Sequence, residues 1–232
     1  MSKAPDAQVE SLLKSIIEYT GKYKGTAAKS VQDDTLLLMI WLDHIRKNIS
    51  NKHCDRLLDH IRCAVVESAG CISLGLVRPA IFSMRTQIEL GAAWIYYNDH
   101  PIEWVDVEIN IDRYPMRSFF MKYLNDLGGN FSDRMKILMK HRARSKEDLY
   151  GLLSVHVHST SKFAAPIVND LASLVQKNAL CLECVQLQKD VAEYLFDLFS
   201  SWYADRWHDY PNEVKDAISQ RLSRPQLRDF CK

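Results

Sequence analysis

The sequence predicts an all-α protein whose helices form a single antiparallel bundle. Glycine and proline, which mark turns and loops, number only 8 and 7 in 232 residues. Most of the chain carries apolar residues at three- and four-residue spacing, the pattern of an amphipathic helix. The alternation of apolar and polar residues that indicates a strand is hard to find. These observations favour helices over sheets throughout the chain.

The first half of the chain predicts four helices. The first is capped near Asp6, buries one apolar stripe, and is closed by Gly21 and Gly25. The next three are predicted over residues 30–49, 51–69 and 76–98. We expect the segment between the last two, residues 70–75, to form either a short break or a small-residue contact between close helices.

The second half predicts further helices and one clear loop. Apolar spacing predicts helices over residues 102–127, 133–144, 146–159, 164–177, 184–208 and 212–221. The clearest loop covers residues 125–132, which include two glycines. Because no linker separates independent domains, we expect one domain over residues 1–232. Its core bundle would cover about residues 30–208, and residues 209–232 would form a C-terminal helical appendage.

The composition is that of a folded soluble protein, with 47% apolar and 25% charged residues. A chain of this length folds without a disulfide or metal, so we expect no cofactor, no metal site and six reduced cysteines. The formal net charge of +1 is too small to indicate a field-driven grip on nucleic acid or membrane. No charge-free stretch approaches the roughly 18 to 20 residues of a membrane helix. Since the sequence also shows no secretory leader, we expect a cytoplasmic protein.

The most apolar predicted helix, over residues 76–98, carries three charged side chains on one stripe. At 100° per residue, Arg78, Arg85 and Glu89 lie within about 40° of one another. The neighbouring faces are apolar, so little solvent-facing surface is left for these charges. A buried pair of Arg85 and Glu89 needs further hydrogen bonds to offset its desolvation. We therefore expect polar groups to face the stripe; the alternative is a solvated strip on a half-exposed helix.

A second polar stripe lies in the predicted helix over residues 146–159. Tyr150, Ser154 and His158 are successive i,i+4 neighbours, and all three are candidate catalytic residues. His156 instead shares the apolar side with several leucines, so we interpret it as a satisfied core or boundary histidine rather than a ligand. His158 is the better candidate to join the charges of the first stripe in one polar cluster.

Two motifs in these stripes suggest a family. The first is Arg-x-x-x-Glu inside a long apolar helix, formed by Arg85 and Glu89; the second combines Tyr150, Ser154 and His158. Together they resemble the signatures of a group of bacterial helical proteins related to abortive-infection and HEPN-like families. The resemblance covers roughly residues 30–200 in the order and spacing of helices. It implies a HEPN-like antiparallel bundle with a central polar cluster, encoded near phage-defence or mobile-element genes.

HEPN ribonucleases use an Arg that is shortly followed by a His, where the imidazole acts as acid or base and the guanidinium holds the scissile phosphate. The chain contains two such pairs, Arg46 with His53 and Arg134 with His141. Chance alone supplies about this many pairs in a chain of this composition. Neither pair lies in the two motifs that resemble the family, which argues against ribonuclease activity.

The dense positive cluster of the chain lies between Arg134 and Lys146. On a continuous helix Lys136, Lys140 and Arg144 align at i,i+4 spacing, which would let them follow a nucleic-acid backbone. A solvated helix face is the alternative interpretation.

An aromatic segment near the C-terminus suggests a homodimer. It contains Trp202, Tyr203, Trp207 and Tyr210, which belong to the residue types enriched in interface anchors. Core packing explains much of the same pattern, so a dimer or partner surface and a core position both stay open.

Three functions follow from these observations. The favoured one is a cytoplasmic helical protein of a prokaryotic antiviral defence or mobile-element system, which binds a protein or RNA partner and uses the polar cluster as an organising or ligand-sensing core. The second is a HEPN-like metal-independent ribonuclease, with His158 as acid or base, Arg85 or Arg78 as phosphate holder, and Glu89 orienting the imidazole. The third is a structural protein whose polar cluster only stabilises the fold.

Overall fold

The computed structural model describes residues 4–144, 146–158 and 167–232. Every regular element in these ranges is a helix and none is a strand, which confirms the all-α prediction. The α-helices of these ranges are α1 (Pro5–Tyr23), α2 (Thr26–Asn48), α3 (Asp55–Ser73), α4 (Val77–Asp99), α5 (Pro101–Ile109), α6 (Arg117–Leu127), α7 (Phe131–Lys140), α8 (Leu149–His158), α9 (Asn178–Trp202), α10 (Asn212–Arg221) and α11 (Arg224–Phe230). Short 3₁₀ helices cover Ile111–Arg113, Ala172–Leu174 and Ala204–Asp209. Within the same ranges, no helix has both the length and the apolar character needed to cross a bilayer.

The ends of α1 follow from its terminal residues. Pro5 opens the helix, where its missing N–H costs nothing, and Asp6 places a negative charge at the positive end of the helix dipole. Lys24 then adopts a left-handed conformation with φ 46°, and Gly25 follows at φ 68°. The helix therefore closes at Gly25 as predicted, whereas Gly21 lies inside it.

The predicted break after the third helix is shorter than expected. Helix α3 begins at Asp55 and continues to Ser73, and residues 50–54 before it are not helical. The break centres on Gly75, which has φ 80°. A Cβ atom at this position would lie 2.8 Å from Cγ1 of Val175. The backbone conformation and the close contact both require glycine here.

The predicted continuous helix over residues 102–127 is wrong. Helix α5 ends at Ile109 and α6 begins at Arg117, with a 3₁₀ turn between them. Pro115 accounts for the interruption, because proline has no backbone N–H to donate and disfavours the helical conformation of the residue before it. Pro115 is visible in the sequence, but the helical spacing of apolar residues before and after it suggested one continuous helix.

The predicted helix over residues 164–177 is also wrong over its described part, residues 167–177, which contains only a 3₁₀ turn. Oδ1 of Asp170 accepts a hydrogen bond from the Ser173 backbone N–H at 2.8 Å, an interaction that competes with helical pairing. Residues 164–166 lie outside the described residues. Ser159, the last residue of another predicted helix, also lies outside them.

The described residues pack as two compact units. The first contains residues from 4–35, 63–86 and 148–189, and the second contains residues 36–62, 87–147 and 190–232. Helices α2, α3, α4 and α9 each contribute residues to both units. The single domain expected from the sequence stays a prediction.

In the first unit, polar hydrogen bonds connect helices that are distant in sequence. Helix α1 packs against the 3₁₀ turn Ala172–Leu174. The Tyr19 hydroxyl donates to Oδ1 of Asn178 at 3.2 Å. The Ser68 hydroxyl donates to Oε1 of Gln188 at 2.7 Å, and both side chains are fully buried. A hydrogen-bonded pair of this kind is tolerated in a core because each polar group meets a partner.

In the second unit, large aromatic side chains dominate the core. The fully buried ones are Trp41, Trp94, Tyr97, Phe120, Phe131, Phe199 and Phe230. Nε1 of Trp41 donates to the Ser200 hydroxyl at 3.0 Å, which satisfies the indole N–H. Helices α10 and α11 bury Val214, Ile218 and Phe230 completely. Residues 209–232 therefore contribute buried side chains to the second unit.

Candidate functional site

The structure brings together Arg85 of α4 and Tyr150 of α8, which come from the two predicted polar stripes. Nη2 of Arg85 donates to the Tyr150 hydroxyl at 2.8 Å. The guanidinium carbon also lies 5.1 Å from the centroid of the Tyr150 ring. Tyr150 thus offers an acceptor and an aromatic face to the same cation. The expectation that a polar group faces Arg85 is confirmed.

The start of α8 explains how Tyr150 is held in place. Oδ1 of Asp148 accepts the Gly151 backbone N–H at 2.8 Å and so caps the helix. A Cβ atom at Gly151 would lie 2.1 Å from the other carboxylate oxygen of Asp148, so glycine leaves room for the cap. Leu149 and Leu153 are buried and fix the apolar side of the helix. Tyr150 lies about 60° around the helix from Leu153 and is half-buried.

Two further polar atoms of α8 are buried. The hydroxyl of Ser154 and Nδ1 of His156 have no hydrogen-bond partner among the described residues. Burial lowers the pKa of His156, and the positive charge of Arg78 lowers it further. His156 lies at the boundary of the core, as predicted. The prediction that its ring nitrogens are hydrogen-bonded is wrong for Nδ1, which has no partner among the described residues.

The remaining residues of the predicted polar cluster are divided between the two units. Arg78 is half-buried in the first turn of α4, in the first unit. Glu89 is half-buried in the part of α4 that belongs to the second unit. His158 is the last residue of α8 and is exposed. The predicted contact between Glu89 and His158 stays a prediction.

The predicted basic stripe of Lys136, Lys140 and Arg144 is wrong at Arg144. Helix α7 ends at Lys140, so Arg144 no longer follows the helical spacing. Its guanidinium is buried and donates from Nη1 to Oδ2 of Asp197 at 2.6 Å. Lys136 and Lys140 are exposed, and Lys136 forms a 2.7 Å ion pair with Asp133. This surface is therefore less basic than the sequence suggested.

The two Arg–His pairs of the sequence do not form phosphate sites. Arg46 contacts the carboxylates of two aspartates, and Arg134 is buried against Asp205. The ring of His53 bonds to a backbone carbonyl, and that of His141 to a glutamine side chain. The guanidiniums of Arg46 and Arg134 are thus occupied by carboxylates rather than open to a scissile phosphate.

The described cysteines, histidines and carboxylates form no candidate metal site. All six cysteines are free thiols. Within the described ranges, no group of three or more His, Cys, Asp or Glu side chains is arranged to hold a metal ion. Cys181 and Cys184, which are three residues apart in the sequence, are buried near the start of α9. Burial raises the pKa of Cys184 to about 12, which disfavours the thiolate that a metal requires.

The aromatic segment near the C-terminus does not form the exposed surface that the sequence suggested. Tyr203 and Tyr210 are buried in the second unit, and the Tyr210 hydroxyl donates to the Ser200 carbonyl at 2.7 Å. Trp202 and Trp207 are half-buried. Core packing accounts for Tyr203 and Tyr210, and the predicted homodimer stays a prediction.

A surface that the sequence did not suggest lies on α6. Phe119, Tyr123 and Leu127 fall within about 80° of one another at 100° per residue; together with Met116, the extended residue just before the helix, we call them the α6 stripe. The exposed fraction is 75% for Met116, 45% for Phe119 and 73% for Leu127, while Tyr123 is half-buried. Large apolar side chains are thus exposed side by side on one face of an ordered helix.

Two depressions, each with a volume of about 440 Å³, adjoin the α6 stripe. Tyr123 and Leu127 line both of them, so the stripe forms a common wall. The other residues around the first depression are Tyr96, His100, Phe119, Lys122 and Asp126. The other residues around the second are Gly128, Gly129, Asn130, Arg134, Trp202 and Asp205.

Stacked rings make the wall of the first depression rigid. His100 stacks on Tyr96 with ring centroids 4.2 Å apart, and Tyr123 packs edge-on against both rings at 5.0 Å. The Tyr96 hydroxyl donates to Glu103, and the Tyr123 hydroxyl donates to Asp99 at 3.4 Å. Burial raises the pKa of Tyr123 to about 12, so the phenol is neutral at physiological pH. The aromatic wall is thus hydrogen-bonded to two carboxylates, those of Asp99 and Glu103.

Helix α5 exposes a second apolar stripe, formed by Ile102, Val105 and Ile109, while Trp104 is buried on its other side. Residues 99–113 contain five acidic residues and one arginine, which gives a local net charge of −4.

The spacing of apolar residues on α5 and α6 was visible in the sequence. That spacing is the same for a face that meets a core and a face that meets solvent, so the sequence did not separate the two.

The α6 stripe and the Arg85–Tyr150 contact are therefore the two candidate sites, one in each unit. Their chemistry differs, since the first is apolar and aromatic and the second is cationic and hydrogen-bonding. No protein-family model, curated protein or solved structure matches this chain significantly.

Proposed function

We propose that the protein acts by binding a partner protein through the α6 stripe and the two depressions beside it. Single exposed apolar residues are common on protein surfaces, but a contiguous group marks an interaction site. The supporting observation is the exposure of Phe119 and Leu127 on one face of α6, with Met116 exposed just before the helix. Methionine and aromatic residues are also the types most enriched in the centres of protein interfaces.

The partner that fits this surface is an amphipathic helix with a positively charged flank. Helices that bind in grooves insert apolar anchors spaced by three, four or seven residues. Two depressions of about 440 Å³ on either side of Tyr123 and Leu127 can each receive such an anchor. Asp99 and Glu103 border the aromatic wall, and Lys122 and Arg134 are paired with Asp126 and Asp205. The two ion pairs that line the depressions are neutral overall, so Asp99 and Glu103 give the aromatic wall a net negative charge, which basic residues on the partner would complement.

We place this activity in the cytoplasm, in a prokaryotic antiviral defence or mobile-element system, and in a HEPN-like antiparallel bundle. The resemblance of the two sequence motifs is the reason for this setting. The hydrogen bond between Arg85 and Tyr150 supports it, because it joins one residue of each motif. Under this proposal the polar cluster organises the fold or senses a ligand, while the α6 stripe binds the partner.

The test uses two synthetic amphipathic helices with the same leucine stripe, one with lysines and one with glutamates on the polar face. Binding of each to the full-length protein is measured by isothermal titration calorimetry. The lysine peptide is expected to bind the wild type and the Val66→Asp variant, whose changed residue is exposed elsewhere on α3. The double variant Phe119→Asp/Leu127→Asp is expected to bind at least about tenfold more weakly, since two anchors are lost.

Equal binding of the lysine peptide to the wild type and to the double variant would contradict the proposal, provided that circular dichroism shows both proteins folded. Preference for the glutamate peptide would contradict the assigned partner charge. The same variants then serve in affinity capture from cell extract, where the true partner must be retained by wild type and by Val66→Asp but lost from the double variant.

A second candidate is the HEPN-like ribonuclease, favoured by the cationic and polar groups of the first unit. Arg85 contacts the Tyr150 hydroxyl, and the Ser154 hydroxyl is buried on the same side of α8. Pure protein is incubated with total RNA in a chelator, and fragment sizes are analysed. Cleavage that is lost in a folded His158→Ala variant would support this candidate, whereas intact RNA with the wild type would exclude it. If His158→Ala and Glu89→Ala only lower the melting temperature, the cluster is structural.

A further inference from the structure

A depression on α7 of the second unit combines methionines with basic side chains. Its volume is about 370 Å³, and we call it the α7 groove. Its apolar lining includes Met135 and Met139, which are both half-buried. Its charged lining consists of Lys136, Lys140, Arg142 and Glu147. Methionine side chains adapt their shape to a bound partner, so they are common on surfaces that bind helices.

The α7 groove is not on the face by which α7 joins the second unit. The residues that α7 buries are Phe131, Arg134 and Leu138. At 100° per residue, these three lie within about 60° of one another. Their mean direction is about 110° around the helix from the mean direction of Met135, Lys136 and Met139. The groove therefore lies beside the packed face of α7.

The charged side chains of the groove carry a positive net charge. Lys136, Lys140 and Arg142 against Glu147 give a net charge of +2. Asp133, which does not line the groove, forms a 2.7 Å ion pair with Lys136, and counting it leaves +1. Arg142 lies 4.0 Å from Glu147, and Lys140 forms no ion pair with any described residue. Because the carboxylates of Asp133 and Glu147 are about three-quarters exposed, both ion pairs are weak and can exchange for an acidic group of a partner.

We propose that the α7 groove binds an acidic amphipathic helix of a partner protein. Met135 and Met139 are four residues apart on α7, which corresponds to about 6 Å along the helix. Lys136 and Lys140 have the same separation, so the apolar and the basic groups run in parallel rows. A helix that lies beside α7 presents its own apolar anchors and acidic side chains at matching spacings of three or four residues. Its anchors contact the two methionines while its carboxylates pair with the lysines and with Arg142.

The lining of the groove favours an acidic peptide over a nucleic acid. The sequence suggested that Lys136, Lys140 and Arg144 follow a phosphate backbone, but Arg144 is buried in an ion pair with Asp197. The side chains beside the lysines are methionines, which offer a phosphate no hydrogen bond and offer an apolar anchor a contact surface.

The α7 groove and the α6 stripe select opposite charges. Asp99 and Glu103 give the aromatic wall beside the α6 stripe a net negative charge, whereas the α7 groove is positive. A helix whose charges complement one of these surfaces is repelled by the other. The partner of the α7 groove is therefore a different segment, and its binding does not depend on the α6 stripe.

The test uses the synthetic glutamate peptide with its leucine stripe and measures its binding to the full chain by isothermal titration calorimetry. The peptide is expected to bind the wild type more weakly than the lysine peptide does, because it meets one depression instead of two. Lys136→Glu/Lys140→Glu is expected to bind the glutamate peptide at least about tenfold more weakly than the wild type, because two attractive charges become repulsive. Phe119→Asp/Leu127→Asp, which removes the α6 stripe, is expected to bind the glutamate peptide as the wild type does.

Two controls separate the groove from a general effect of charge. Lys14→Glu/Lys22→Glu changes two exposed lysines of α1 by the same net charge and is expected to bind the glutamate peptide as the wild type does. A glutamate peptide with alanine in place of each leucine keeps its charge and its helical tendency. It is expected to bind the wild type at least about tenfold more weakly, because the methionines of the groove lose their apolar contacts.

Three results would overturn the proposal, provided that circular dichroism shows every variant folded. The first is equal binding of the glutamate peptide to the wild type and to Lys136→Glu/Lys140→Glu, and the second is equal binding of the leucine and alanine peptides to the wild type. The third is no measurable binding of the glutamate peptide to the wild type. Loss of lysine-peptide binding concerns the α6 stripe alone and leaves these outcomes unchanged.

Two other occupants of the groove have their own measurements. A single-stranded RNA with the net charge of the glutamate peptide is expected to bind the wild type more weakly than that peptide does. Tighter RNA binding that Lys136→Glu/Lys140→Glu abolishes would assign the groove to nucleic acid and overturn the proposal. Sedimentation equilibrium tests a second copy of the chain as the occupant, and self-association of the wild type that the same variant abolishes would also overturn it.

Discussion

Arg144 and Asp197 form an ion pair that solvent does not reach. Nη1 of Arg144 lies 2.6 Å from Oδ2 of Asp197, and neither side chain is exposed. Asp197 also accepts a 2.6 Å hydrogen bond from Arg221, and Glu193 accepts the Arg144 backbone N–H at 2.8 Å. Each buried charge therefore meets an opposite charge and a hydrogen bond, which offsets its desolvation.

Removing the shared carboxylate should destabilise the second unit strongly. We expect Asp197→Ala to lower the free energy of unfolding by about 3–5 kcal/mol, because the guanidiniums of Arg144 and Arg221 then keep only Glu193, at 3.3 and 3.5 Å. Urea denaturation followed by circular dichroism measures this change. The exposed Lys136→Ala variant is the control and should change stability by less than about 0.5 kcal/mol. An Asp197→Ala protein as stable as this control would refute the structural role.

This ion pair also shows where prediction from the sequence fails. Lys136, Lys140 and Arg144 share a helical spacing, and nothing local indicates that α7 ends at Lys140. The partner of Arg144 lies 53 residues away in the chain, so its burial follows from tertiary packing and not from local pattern. The all-α class was predictable because amphipathic spacing is local and is repeated in almost every helix.

The two candidate sites also differ in how far the sequence predicts them. The contact of Arg85 with Tyr150 was predictable in kind, because charges on an apolar helix require a polar group to face them. The α6 stripe was not predicted, since the spacing of Met116, Phe119 and Leu127 is equally typical of a buried face. The end of α5 was predictable in principle from Pro115, although the apolar spacing around it suggested one continuous helix.

Two glycines should respond to alanine in opposite directions. A Cβ atom at Gly128 would lie 2.3 Å from the Leu124 carbonyl oxygen and 2.5 Å from the Trp202 ring, so Gly128→Ala should cost about 1–3 kcal/mol. Gly70 lies inside α3 with nothing within 4 Å of the corresponding position. Gly70→Ala should therefore stabilise by about 0.5–1 kcal/mol, the usual gain for alanine in a helix. Thermal denaturation of the two variants beside wild type is the measurement, and a shift of the same sign in both would contradict the packing.

The hydrogen bond between Arg85 and Tyr150 should contribute to stability separately from the ring contact. Tyr150→Phe removes the acceptor and keeps the aromatic face, so we expect a loss of about 1–2 kcal/mol. Tyr150→Ala also removes the face and should cost more. Urea denaturation of both variants separates the two contributions. Equal costs for phenylalanine and alanine would show that the hydroxyl accounts for the whole effect and the ring for none.

Stability should fall as the pH falls below neutrality, in part because of His156. Burial and the nearby charge of Arg78 lower the pKa of its ring below the usual value of 6.5. Between the folded pKa and 6.5, the unfolded chain binds a proton that the folded chain does not, so the free energy of unfolding decreases as protons are added. His44 is also half-buried with a lowered pKa, mainly through burial, and acts in the same direction.

The measurement is the urea midpoint of the wild type and of His156→Gln at pH 7.5 and pH 5.5. Glutamine does not titrate, so the variant should lose less stability over this range than the wild type, whatever its stability at pH 7.5. The pH-dependent loss of stability that remains in His156→Gln should be smaller again in the double variant His44→Gln/His156→Gln, because the pKa of both histidines is lowered in the folded protein. An identical loss in the wild type and in His156→Gln would show that the ring of His156 is as free to accept a proton in the folded protein as in the unfolded chain.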